Sequence, residues 1–258
     1  LLIRIIKDKS SSDIDKPKYL NASAMQFPTS AIESLLLESK DLFNNTIFEI
    51  VSHALNIHRD DIKSDQKIKK IIKKSTDDMN VDVEELYYKK VKLIYGEIIR
   101  SATAIQSDLN LSKKQNRAVS EIKIANRKMV EILNDARAIN KNVSRSLSGE
   151  NPYLLKEYDN FRAKVTKVLR TIYLFGTEEQ AMAYAEKLAV LKMEAKENIR
   201  HSNESIDNLI RKNKISAEMA SSLFNDNTNV HDMIRKLIAV AELLYGQLDA
   251  IMDNNSKN

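Results

Sequence analysis

The stretch Ser148-Gly149-Glu150-Asn151-Pro152 divides this chain. Glycine gives up the most backbone freedom in a helix and proline lacks the N–H that a helix interior needs, so a run holding both stops one helix. Proline is at home in a helix's first turn, where that donor would be unpaired anyway, so a new helix is expected to start at Pro152. Pro28 opens a second run of apolar-striped sequence in the same way. The 258 residues contain only four glycines and three prolines, so breaks are few. The prediction is an all-α chain built twice.

Upstream of the boundary, Val119, Ile122, Met129, Ile132, Leu133, Ala136, Ile139, Val143 and Leu147 recur at three- and four-residue steps and predict a long helix. Ser112, after the turn Asp108-Leu109-Asn110-Leu111, is its expected N-cap, because a serine hydroxyl accepts from an unpaired first-turn amide. A helical hairpin is expected before it. Its first arm runs from about Pro28 to Asn56, and its longer second arm from about Asp61 to Ser107, with a kink or break near Asp77 to Asp82.

Downstream, Tyr158, Phe161, Val165, Val168 and Ile172 predict a helix from Pro152 to about Phe175. Gly176-Thr177 ends it, and Thr177 with Gln180 matches a capping box for the next helix, which extends to about Lys212. The turn Asn213-Lys214-Ile215-Ser216 resembles Asn110-Leu111-Ser112 and leads to a last helix through Met219, Leu223, Val230, Ile234, Leu237, Leu244 and Leu248. Each half thus holds three helices. The expected architecture is two tandem antiparallel three-helix bundles related as a repeat, over residues 20–148 and 149–258, after a linker over residues 1–19.

Composition agrees with helices that bury one stripe and solvate the rest, at 43% hydrophobic and 30% charged residues. Cysteine is absent, which excludes thiolate and disulfide chemistry. The net charge of +5 arises from 41 basic and 36 acidic residues that are interleaved. That mild bias suits an anionic membrane surface or an acidic partner. A nucleic-acid groove would want aromatics among concentrated bases, whereas Tyr87, Tyr88, Tyr95, Tyr158, Tyr173, Tyr184 and Tyr245 sit on helical stripes, so no nucleic acid is expected. The opening Leu1-Leu2-Ile3-Arg4-Ile5-Ile6, followed by Lys7, Lys9, Lys16 and Lys18, reads either as the inner end of a membrane helix with its basic flank or as a frayed tail.

Lys67, Lys69, Lys70, Lys73 and Lys74 form the densest basic cluster. Lys67, Lys70 and Lys74 share a helix face, and contact with anionic lipid headgroups or an acidic loop is weighed against a solvated surface. Glu49 and His53 also share a face, with His58 beyond the helix end; zinc would need further ligands that the sequence does not offer. No glycine-rich phosphate loop, nucleophile elbow or paired acid/base motif occurs, and no catalytic residue is expected.

Three stretches resemble the C-terminal cytosolic PhoU-like domain of bacterial sodium/phosphate cotransporters. They are Lys18-Tyr19-Leu20-Asn21-Ala22-Ser23-Ala24 with Pro28 and Ala31; Ile139-Asn140-Lys141-Asn142-Val143-Ser144-Arg145; and Arg200-His201 with residues 213–226 and Leu237-Ile238, Ala241-Glu242-Leu243-Leu244. The resemblance covers about residues 18 to 246 and rests on helix-surface patterns. It implies a regulatory domain at the cytoplasmic face of the inner membrane, with the membrane portion of its own transporter as partner and a second copy of the chain as a further candidate. The family's free-standing members bind metal through acidic residues four apart, a pattern that Glu131 and Asp135 match. Aligning Ser112 with Ser216 puts Arg235 and Ala239 at the equivalent positions of the second half, so the duplicated motif is missing and no cofactor is expected beyond a divalent metal at that pair. A free-standing metal-binding regulator of phosphate uptake and an unrelated helical scaffold stand as the alternatives.

Overall fold

The computed structural model describes residues 14–177 and 181–247, and among these every regular element is helical. The expectations for Leu1 to Ile6, for the Thr177 and Gln180 capping box and for Leu248 fall partly or wholly outside the described residues. The first half opens with α1 (Pro28–Asp41), which runs through a π-helical turn over Leu42–Ile47 into α2 (Phe48–Ala54). Short helices α3 (Arg59–Lys63), α4 (Ile68–Lys74) and α5 (Val83–Leu86) follow, and a second π-helical turn over Tyr87–Val91 leads into α6 (Lys92–Asp108). The long helices are α7 (Lys113–Ser148), α8 (Pro152–Thr177), α9 (Ala181–Arg211) and α10 (Ala217–Ala241), with a third π-helical turn over Glu242–Gln247.

The expected boundaries hold at both prolines, with Pro28 and Pro152 each opening a helix. Ser112 caps α7 by accepting from Gln115 N, and the Gln115 side chain accepts in return from the Ser112 N–H at 2.9 Å. Ser216 caps α10 by accepting from Met219 N at 3.2 Å. Asn213 precedes it with φ 54°, the left-handed conformation that asparagine tolerates at a helix end.

The second arm of the first hairpin is more divided than its stripe predicts. It breaks at residues 64–67 as well as at 75–82. The linker is tied down from Asp15 onward. Buried Glu38 accepts from the N–H groups of Lys18 and Tyr19 at 2.9 and 2.6 Å, and Asp15 N donates to Lys89 O at 3.0 Å.

Helices α1, α6 and α7 pack on one another, as do α8, α9 and α10, and the most extensive contact of all joins α7 to α10. The buried apolar side chains form one cluster from Ala31 to Leu244 that passes through this seam. The structure is therefore all-α with a shared core. No helix among the described residues is long and apolar enough to cross a membrane.

Candidate functional site

Helix α4 is seven residues long and turns only Ile71 and Ile72 fully inward, toward α8. Lys67, Lys69, Lys70, Lys73 and Lys74 are all exposed around it. Lys74 pairs with Asp61 on α3, whereas Lys67, Lys69, Lys70 and Lys73 have no ion-pair partner among the described residues. So short a helix is marginal on its own. Its position is set by α8.

Two arginines on α8 hold the carbonyl ends of the short helices. Arg162 has 1% of its surface exposed; its Nε donates to Leu55 O at 2.9 Å and its Nη2 to Asn56 O at 3.2 Å, both at the end of α2. The same Nη2 donates to Ser75 O at the end of α4, and Nη1 pairs with Asp159 at 2.8 Å. Two turns further on, Arg170 donates to Ile62 O and Gln66 O, both at 2.8 Å, and to Asp61 O at 3.3 Å. The last carbonyls of a helix lack internal partners and carry partial negative charge, so a guanidinium fork satisfies them well. Burial lowers the pKa of both arginines from a very high ordinary value, offset at Arg162 by Asp159.

Asn56 completes the junction. It adopts φ 54°, its Oδ1 accepts from Met79 N at 2.9 Å, and its Nδ2 donates to Ser144 Oγ on α7 at 3.2 Å. The lysines of α4 therefore stand on a base fixed to α7 and α8.

Glu131 and Asp135 lie one turn apart on α7, but each meets a cation. Glu131 pairs with Arg127 at 3.2 Å, and Asp135, with 13% of its side chain exposed, pairs with Lys236 of α10 at 2.7 Å. Burial raises the Asp135 pKa against the opposing pull of Lys236, and Asp232 and Glu131 raise it further. Among the described residues, no group of three or more histidine, aspartate or glutamate side chains is placed to hold a metal ion. His53 and His58 do come together, with ring centroids 6.2 Å apart and edge to face. Glu49 is engaged by Arg59 and Lys90 at 3.8 and 3.7 Å. Burial lowers the His53 pKa, which favours a neutral ring.

The tyrosines divide as helical stripes should. Tyr158 is buried and donates to Asp226 Oδ2 at 2.7 Å, Tyr245 hydrogen-bonds Asn44, and Tyr88 is half exposed. The sequence did not single out Arg162 or Arg170. The available signal was position: Arg162 follows Tyr158 by four residues and so falls on the buried stripe, where a bare cation would be costly without partners.

The chain matches no protein-family model, and no curated protein or solved structure shows significant similarity to it.

Proposed function

We propose that this chain is a helical docking domain, PhoU-like in plan, that binds the anionic cytoplasmic face of a membrane and the membrane portion of a sodium-dependent phosphate transporter. It acts by contact and not by catalysis. The observation that carries this reading is the lysine-covered helix α4, seated on α8 with Arg170 and Arg162 bonding the chain on either side of it, where Lys67, Lys69, Lys70 and Lys73 are free of ion pairs among the described residues. Each lysine near an anionic leaflet contributes about 1 kcal/mol, so the face suffices for reversible attachment that salt weakens. The phosphate-transport part rests on the sequence resemblance. It is supported by the all-helical architecture and by the paired Ser-capped helices α7 and α10, the expected third members of two three-helix bundles.

A domain that docks in only one state of its partner shifts that partner's population toward the state it prefers. Two measurements test the proposal. Cosedimentation with phosphatidylglycerol-containing vesicles is expected at low salt, absent with phosphatidylcholine alone, and strongly reduced in the Lys67→Gln, Lys70→Gln, Lys74→Gln variant. Equal binding by that variant would remove α4 as the contact. Deleting the coding segment for this chain is expected to change sodium-driven phosphate uptake or its response to internal phosphate. Unaltered uptake and response would refute the transport role.

A further inference from the structure

Helices α8, α9 and α10 surround a cavity that the docking surface does not use. It offers ≈ 50 Å³ to the centres of water-sized molecules, within ≈ 430 Å³ of empty space that includes its open mouth. Buried Val168, Leu191, Ala195, Val230 and Ile234 line it, so its walls are largely apolar. Lys164 and His231 line it too, and both carry unused hydrogen-bonding capacity.

The Lys164 ammonium donates to Ser202 Oγ at 2.8 Å and lies 6.0 Å from the Phe161 ring centroid. An ammonium has three donors, and no other acceptor among the described residues takes the remaining ones. His231 Nδ1 lies 3.5 Å from Asp232 Oδ1, while its Nε2 is buried and has no hydrogen-bond partner. Nearby acids are already engaged. Glu157 accepts from Ser205 at 3.0 Å, and Glu194 pairs with Lys167 at the cavity wall at 3.1 Å. Arg235 is a further cation acting on His231. Burial lowers the pKa of Lys164 and of His231, because their charged forms lose water without a full replacement.

We propose that this cavity binds a short-chain monocarboxylate, whose carboxylate accepts from Lys164 Nζ and His231 Nε2 while its alkyl chain lies against Val168, Leu191, Ala195 and Val230. A carboxylate is acceptor-only: it accepts from Lys164 directly, and from Nε2 once His231, whose Nδ1 faces Asp232, takes up its second ring proton, both in charge-assisted form. That space takes about three water-sized centres, which fits a carboxylate and a few carbons with the rest of a chain in the mouth. Inorganic phosphate has the charge but nothing to place against apolar walls. The inference rests on these side chains alone and is independent of the docking role.

Titration of the whole chain with sodium butyrate, followed by NMR, tests it, with inorganic phosphate and sodium chloride as comparators. Saturable shifts are expected at residues lining the cavity, together with a raised His231 pKa in the bound form. Lys164→Met keeps the aliphatic stem, and His231→Gln keeps polarity; each is expected to weaken butyrate binding about tenfold or more. Across the series from acetate to octanoate, affinity of the unaltered chain should rise and then fall as the chain outgrows the space. No saturable shift at millimolar butyrate, equal shifts with phosphate, or binding indifferent to chain length would overturn the proposal. Vesicle binding through α4 should be the same whichever result is obtained.

Discussion

Arg162 is a nearly inaccessible cation whose four partners are three carbonyls at two helix ends and one carboxylate. Removing it strands buried carbonyls from two helices at once, so Arg162→Met is expected to cost about 3–5 kcal/mol, measured by urea unfolding. Arg162→Lys should recover only part of that, because an ammonium cannot fork across the same acceptors. Asp226 poses the opposite case. Its Oδ2 accepts from both Tyr158 and Asn142, yet burial still raises its pKa. The native state then holds a proton that the unfolded chain, with an aspartate pKa of about 3.9, releases more readily. Stability from this carboxyl is complete below that unfolded value and is lost as pH rises through the higher folded value. Asp226→Asn can keep both bonds with its amide oxygen, so its melting temperature should fall less than that of the unaltered chain from acidic to neutral pH. Parallel thermal melts at several pH values would show whether the two curves converge.

The helices differ in how openly the sequence declares them. Pro28 and Pro152 act through their own rings, and Ser112 and Ser216 through bonds within three residues of themselves, so their roles could be read directly. The break at residues 75–82 matches the one expected near Asp77 to Asp82, but the break at 64–67 is held by Arg170, roughly a hundred residues away, which no local stripe reveals. The candidate site divides likewise. Lysine exposure on α4 follows from composition and spacing, but the capture of Asp135 by Lys236 needs α7 and α10 to be packed together. The caps offer a test of the repeat. Ser112→Ala and Ser216→Ala should each cost about 1 kcal/mol in chemical denaturation, with the larger loss at Ser112, where Gln115 reciprocates. A negligible loss at either position would show that its helix start is held by packing instead.

At the scale of the molecule, the apolar cluster continues through the contact between α7 and α10. Asp135 with Lys236, and Asn142 with Asp226, add polar links across the same seam. The expected outcome is a single cooperative transition, with far-UV circular dichroism and near-UV tyrosine signals melting together. Two separated transitions would mean that the halves are energetically independent. The π-helical turn at Leu42–Ile47 fixes one more property of this body. Such a turn carries about one residue more than an α-helical turn, so shortening it by one would let the backbone close into ordinary geometry. The extra residue is absorbed within the wide turn, so this deletion would leave α2 and the carbonyls that Arg162 holds close to their present phase, whereas removing one residue from the α-helical turns of α1 would rotate them by about a hundred degrees. The wide turn is thus a buffer of chain length: one residue fewer is tolerated inside it, while the same loss in α1 would misalign the partners of an arginine more than a hundred positions later.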